Sequence, residues 1–225
     1  MEIVKGFTLN YKGKKDIYFL RLSFLIYMII SCFFIDRFRF MVLNLTLAYI
    51  PMEIAVLLDK LDYSKNMKNK VLYICLFLLW LFFYPNAPYL ITDFFHLSVL
   101  DYINPVSGYR FTANPYVWKH FCYLSTGIFI GLSMGFVSLK LVYKSVSAKV
   151  KKMNKDIFVI VVSLLSSYAI YIGRFLRLHT VHLIIFPVDT LRQMFSVFSM
   201  EFWYFMFYMT VIQLVMYFVW KALRK

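Results

Sequence analysis

The sequence predicts an all-α, polytopic integral membrane protein with about six transmembrane helices and interfacial or re-entrant segments on its outer face. Three observations predict it. The 225-residue chain is 62% hydrophobic and 21% aromatic, well above the roughly half-apolar composition of soluble domains. Its apolar residues come in runs near the ~20-residue length that crosses a hydrocarbon core, not in the short alternating runs of a barrel. Its Lys and Arg divide unevenly between the two sides those runs define.

The runs are 17–35, 40–58, 71–90, 121–142, 157–172 and 202–220. Lys5, Lys12, Lys14 and Lys15 precede the first in the manner of a signal peptide. No small-residue cleavage site follows, so a retained span is expected. The second carries Glu53 just after Pro51, close enough to Asp59 and Lys60 to read as a residue at the interface. The fourth carries Gly127, Gly131 and Gly135, spaced i, i+4, i+8 on one helical face. Small residues at that spacing make a packing seam. Its partner is either a helix of the same chain or a second copy, which leaves a homo-oligomer open. The fifth run is short and carries Ser163, Ser166, Ser167, Tyr168 and Tyr171, so it is expected to face protein. The whole chain, 1–225, reads as one transmembrane domain.

Of the 25 Lys and Arg, only seven (Arg37, Arg39, Arg110, Lys119, Arg174, Arg177 and Arg192) fall on one side of the six runs. The positive-inside bias puts that side outside, with both termini cytoplasmic, in a cell membrane. The net charge of +14 is then a matter of topology and of contact with anionic lipid, and no nucleic acid is expected as a partner. Cys32, Cys75 and Cys122 all lie in apolar runs and are expected to be small buried side chains rather than a disulfide framework.

The chemistry-bearing residues concentrate in the two long outer connections, about 91–120 and 173–201. In the first, Pro85 and Pro88 interrupt an apolar run and must break or kink its helix. Asn86 is a candidate cap for the helix that restarts, with Pro88 in its first turn. Asp93 and His96 then share a face at i, i+3. A carboxylate beside an imidazole can bind a metal, relay a proton or activate water, or it can be a polar turn leaving the membrane. Segments 92–103 and 189–200 are expected to lie in the interface as short amphipathic helices, the second capped by Asp189 or Thr190. Arg174 and Arg177, three apart, suit phosphate or carboxylate, or an ion pair from one of them to Asp93. All four histidines, His96, His120, His179 and His182, fall in this layer with Asp93, Asp101, Asp189 and Glu201. Asp93, His96, His179 and His182 are therefore candidate metal ligands, and the sequence leaves the identity of any metal or cofactor open. There is no P-loop, no dinucleotide fingerprint, no nucleophile elbow and no C-x-x-C, which argues against a nucleotide-driven pump, a Rossmann enzyme and a typical serine hydrolase, and no H-E-x-x-H zinc motif is present.

Two segments carry a resemblance. Residues 85–97 (PNAPYLITDFFHL) and 171–183 (YIGRFLRLHTVHL) resemble the signature segments of the domain of unknown function 1361 family, bacterial multi-pass membrane proteins. The family's Asn-Ala-Pro-Tyr and Thr-Asp-x-x-His-Leu match at 86–89 and 92–97, and its Gly-Arg-Phe-x-Arg matches at 173–177. Where relatives read Asn-Ser-Trp-Asp, this chain reads His179, Thr180, Val181, His182. The resemblance implies the architecture and a bacterial plasma membrane, and no particular reaction.

Three functions stand as expectations. The first is binding of an anionic lipid, lipid-linked precursor or envelope component, with Asn86, Arg174 and Arg177 as ligand-binding residues. The second is a membrane-level metal-dependent or acid–base enzyme using Asp93 and His96. The third is a transporter whose path uses the broken third span and Glu53.

Overall fold

The computed structural model describes residues 14–34, 37–61, 63, 66–100, 112–150, 153–176, 196 and 198–223. Among them the elements are all helical: α1 (Lys14–Phe34), α2 (Phe40–Lys60), α3 (Met67–Phe83), α4 (Asn86–Tyr89), a 3₁₀ segment (Leu90–Val99), α5 (Pro115–Ser147), α6 (Lys155–Tyr171) with a π turn (Ile172–Leu176), and α7 (Met200–Leu223). Six of the helical stretches are long and apolar enough to cross a membrane, the third being α3 together with its continuation to Val99. The chain is polytopic and all-α, as its composition predicts.

Three helix starts are set by asparagine. Asn66, Asn114 and Asn154 each accept a hydrogen bond from the first turn they precede, the bonds of Asn66 and Asn154 being 2.8 Å and that of Asn114 2.9 Å. The side-chain oxygen takes a backbone N–H that has no partner inside the helix. Pro115 follows Asn114 at the first helical position, where its missing N–H costs nothing. This start lengthens the fourth span by six residues beyond the run at 121, and it carries His120 from the expected connection into a helix. Pro51 lies inside α2 without ending it.

α5 is the axial helix: 67% of its most apolar stretch is buried, against 22% for α1 and 28% for α7. Its glycines explain why other helices come so close. A Cβ on Gly127 would lie 2.5 Å from the Tyr27 hydroxyl, one on Gly131 would overlap Leu90, and one on Gly135 would lie 2.7 Å from the Ala87 Cβ. The seam is therefore filled by α1, α4 and the 3₁₀ segment of the same chain, with Met41 and Leu45 of α2 beside them. That face of α5 is occupied within the chain. Lipid supplies no hydrophobic drive between helices, so close approach and hydrogen bonds do the joining. Tyr27 stacks on Tyr123 at 4.7 Å and donates to the Tyr123 carbonyl at 3.2 Å. α6 meets α7 through Ser167, Thr210 and Gln213, as its serine content predicts.

The exposed surface is a belt of large apolar groups, among them Phe19, Phe33, Phe129 and Phe207, each at least 60% exposed. On a soluble protein such a belt would aggregate; here it faces lipid. All three cysteines belong to it. They are exposed rather than buried, because position in an apolar run does not say which face of the helix a residue takes.

Candidate functional site

The break in the third span builds the site. Pro85 has no N–H to continue the α3 ladder, and Pro88 has none to give the Tyr84 carbonyl, which accepts from Ala87 N instead at 3.1 Å. Asn86 does not cap the restarted helix. Pro85 holds the cap position and Asn86 is the first helical residue. Its Nδ2 donates to the Phe83 carbonyl at 2.8 Å, closing the turn that the prolines open. Asn86 therefore serves the break itself.

Beyond Tyr89 the chain continues as a ten-residue 3₁₀ helix rather than as a separate interfacial helix over 92–103. With three residues per turn, side chains at i and i+3 stack directly above one another. Asp93 and His96 are such a pair: His96 Nε2 lies 3.9 Å from Asp93 Oδ1. Asp93 is fully buried, whereas the His96 side chain is 39% exposed and rests on the Phe40 ring at 4.4 Å.

Arg174 reaches the same carboxylate from the π turn that ends the fifth span. A π turn holds an extra residue and rotates the side chains after it to a new facing. Arg174 Nη1 lies 3.9 Å from Asp93 Oδ1 and donates to the Tyr89 hydroxyl at 3.2 Å, while Nη2 points at the Thr92 carbonyl, 3.4 Å away. The other carboxylate oxygen, Oδ2, accepts from Asn44 Nδ2 at 2.8 Å. Asp93 Oδ1 accepts no hydrogen bond. It faces one imidazole and one guanidinium, both beyond hydrogen-bond reach. Among the described residues, the Arg174 fork uses one N–H on each terminal nitrogen and no N–H on Nε.

Asn44 is the site residue that sequence reasoning missed. Its signal was its position: a lone amide inside an apolar run has to find a partner across the helix interface. The Asp93–Arg174 tie between the third and fifth spans is present. Arg177, His179 and His182 lie outside the described residues, as do Asp101, Asp189, Thr190, Arg110 and Arg192. The described residues bring no three His, Cys, Asp or Glu together as a metal site would need. His120 does not join Asp93. It is buried in α5, its Nδ1 donating to the Tyr116 carbonyl at 2.8 Å, and Phe38 and Phe40 stand between it and His96.

Glu53 and Arg21 form a second charged pair. Arg21, whose charge the topology counts among the basic flank, sits within α1 in the first span. Its Nε and Nη2 bond both oxygens of Glu53, at 2.7 and 2.5 Å. Glu53 is thus paired with α1 across the helix interface, both side chains about one-third exposed.

Fold and site define a class: a multi-pass, all-α membrane protein with a buried carboxylate, an imidazole and an arginine converging where its third span breaks. The chain belongs to the family described as "Protein of unknown function (DUF1361)", whose sequence profile matches residues 43–216. The match takes in Asn44, Asp93, His96 and Arg174 and leaves α1 outside it. No curated protein and no solved structure matches the chain.

Proposed function

We propose that this protein sits in a bacterial plasma membrane with both termini cytoplasmic, and that its break-end cluster binds an anionic headgroup: a phospholipid, or a phosphate-bearing envelope component, on the outer face. The Lys and Arg asymmetry supports the orientation, and the resemblance of the two signature segments supports the bacterial membrane. One observation carries the ligand: Arg174 is gripped along part of its fork by Tyr89 and Thr92 and, among the described residues, keeps further donors unspent. A planar fork with free N–H groups at membrane level suits a phosphate. Asp93 offsets the arginine's charge without consuming its donors, because the two stand 3.9 Å apart. Exposed Phe95 and Phe175 flank the cluster and provide for an acyl chain. Arg177 belongs to the same reading as a second phosphate contact.

The test is native mass spectrometry of the full chain released from phosphatidylglycerol-containing bilayers. Arg174→Gln should lose retained anionic lipid at least about tenfold, the worth of one charge-assisted contact. Lys119→Gln, an exposed charge expected on the same side, should lose none. Equal retention in wild type and Arg174→Gln overturns the proposal.

A second reading rests on the same carboxylate. Asp93 Oδ1 accepts no hydrogen bond and has His96 and Arg174 at equal distance, an arrangement suited to acid–base chemistry on an envelope substrate. A stoichiometric divalent metal in the same spectra, lost in His96→Ala, favours this reading over headgroup binding.

A further inference from the structure

α2 crosses the bundle from Asn44, which holds Asp93, to Asp59 near its far end. At that far end, opposite the helix break, the carboxylates Asp59 and Asp156 are each taken, by Lys144 at 3.1 Å and by Lys221 at 3.3 Å. Lys70, in the first turn of α3, and Lys149, just past the end of α5, make no ion pair among the described residues. They sit on tyrosines instead. Lys149 Nζ lies 4.1 Å from the centre of the Tyr73 ring. Both ammoniums face the Tyr63 ring, Lys149 at 5.7 Å and Lys70 at 5.9 Å. The two tyrosines meet edge to face at 5.4 Å.

Lys149 is held by more than rings. It donates to the Ser145 carbonyl at 2.7 Å and to Ser145 Oγ at 3.1 Å. Ser145 Oγ in turn donates to the Leu58 carbonyl at 3.1 Å and lies 3.0 Å from the Tyr73 hydroxyl. α2, α3 and α5 thus converge on one half-buried ammonium. Burial holds its pKa below the usual lysine value, with the Asp59 charge acting the other way. A ring face attracts a cation without cancelling its charge. Two ammoniums gathered on one ring therefore repel each other, and a half-buried charge without a counter-ion is costly. An anion placed between them answers both.

We propose that Lys70 and Lys149, gathered on Tyr63, bind the headgroup of a lipid that carries two phosphates, one to each ammonium. Among the described residues Lys70 Nζ makes only its ring contact, and Lys149 Nζ has a third N–H beyond the two it gives Ser145. Each lysine therefore has a donor for a phosphate oxygen, which a compact ammonium meets as a point charge. The occupant is a lipid rather than a soluble phosphate because apolar side chains border the lysines. Met67, Val71 and Val150, each at least 50% exposed, offer a track for acyl chains. Basic groups at the end of a membrane bundle are suited to such headgroups. The site stands at the opposite end of the bundle from Arg174 and is independent of the headgroup cluster there.

The experiment is native mass spectrometry of the full chain released from phosphatidylcholine bilayers. These are doped with diphosphatidylglycerol or with phosphatidylglycerol at equal total phosphate. Wild type should retain one diphosphatidylglycerol about tenfold better than phosphatidylglycerol, the worth of one added charge-assisted contact. Lys70→Gln should erase that preference and spare the fold, since its ammonium touches only a ring. Lys149→Gln should erase it too. Lys140→Gln, an exposed charge toward the same end of α5, should keep it. Arg174→Gln should keep it as well, which separates this site from the headgroup reading. Asp62, next to Tyr63 in the chain, lies outside the described residues, and Asp62→Asn should leave the preference unchanged. Inorganic pyrophosphate should not displace the lipid. Four results each overturn the proposal. They are equal retention of the two lipids by wild type, a loss in Lys140→Gln as large as in Lys70→Gln, displacement by pyrophosphate, and stronger retention in Asp62→Asn. The last would mean that a carboxylate of the chain already occupies the lysines. If Lys149→Gln does not fold, Lys70→Gln and the wild-type preference decide it.

Discussion

Among the described residues, two arginine–carboxylate pairs join helices, and they are built to opposite plans. Arg21 and Glu53 close on each other, with two hydrogen bonds of 2.7 and 2.5 Å between fork and carboxylate. Both side chains are about one-third exposed, and the guanidinium also lies 5.7 Å over the Tyr18 ring. Each partner there is the other's main partner. Arg174 and Asp93 stand 3.9 Å apart, and each is held by something else: the arginine by Tyr89 and Thr92, the carboxylate by Asn44. The first pair is a clasp between α1 and α2. The second is two opposite charges kept in place and kept from closing. A structural tie gains from contact, because a bidentate pair satisfies the polar groups it takes out of water. A binding or reactive site gains from separation, because groups already joined have nothing left for a ligand.

The largest effect should come from the clasp. Glu53→Ala leaves Arg21 within the first span without its partner, and breaking such a pair costs on the order of 3 kcal/mol, the low end for buried pairs given the partial exposure. Arg21→Leu combined with Glu53→Leu removes both charges and should recover most of that loss. Reversible unfolding in bicelles of wild type, Arg21→Leu, Glu53→Leu and the double substitution gives the coupling energy. Two single substitutions that simply add in the double would remove the distinction between clasp and open pair.

The open pair should respond most at its support. Asn44→Ala takes away the hydrogen bond that Asp93 Oδ2 accepts at 2.8 Å, on a carboxylate that is fully buried. A hydrogen bond to a charged group is worth about 2 kcal/mol. The same unfolding assay should therefore show a smaller loss than at Glu53. Asn44→Ala should also lower anionic lipid retention, since Asp93 then lacks the bond that keeps it off Arg174. Unchanged retention with unchanged stability would mean that Asn44 does not position Asp93.

How much of this was legible depended on range. The spans were readable because a hydrocarbon core imposes a length and a composition on any segment that crosses it. The Asp93–His96 pair was readable because i, i+3 neighbours meet on any helix, α or 3₁₀. The glycine face of α5 announced a seam, while its occupants, Tyr27, Ala87 and Leu90, are distant in sequence and are fixed only by how the helices pack. The partner of Glu53 was not legible because Arg21 lies 32 positions away, in a helix where a basic residue reads first as flank. Asn44 passed unremarked for the same reason: its purpose is a carboxylate 49 residues on. The cysteines misled because run membership fixes depth and leaves facing undetermined. Asn86 misled because its amide has two uses at a helix start, and the carbonyl freed by the proline break was the nearer one.

The smallest change in stability should carry the sharpest test of the open pair. Arg174→Lys keeps the positive charge opposite Asp93, so the long-range attraction across 3.9 Å survives and the fold should lose no more than about 1 kcal/mol. What it removes is the fork. A lysine ammonium has three donors on one atom and cannot grip Tyr89 and Thr92 with one edge while presenting another to a phosphate. Anionic lipid retention should therefore fall nearly as far in Arg174→Lys as in Arg174→Gln, although the charge is intact. If lysine retains lipid as arginine does, charge alone attracts the headgroup, and the unspent donors of the fork have no part in binding. At the clasp the same exchange should read the other way. Arg21→Lys gives up one of two bonds to Glu53, so its cost should appear in stability, with lipid retention unmoved. Opposite readouts from one substitution at two arginines would separate a pair made to hold helices from a pair held apart to bind.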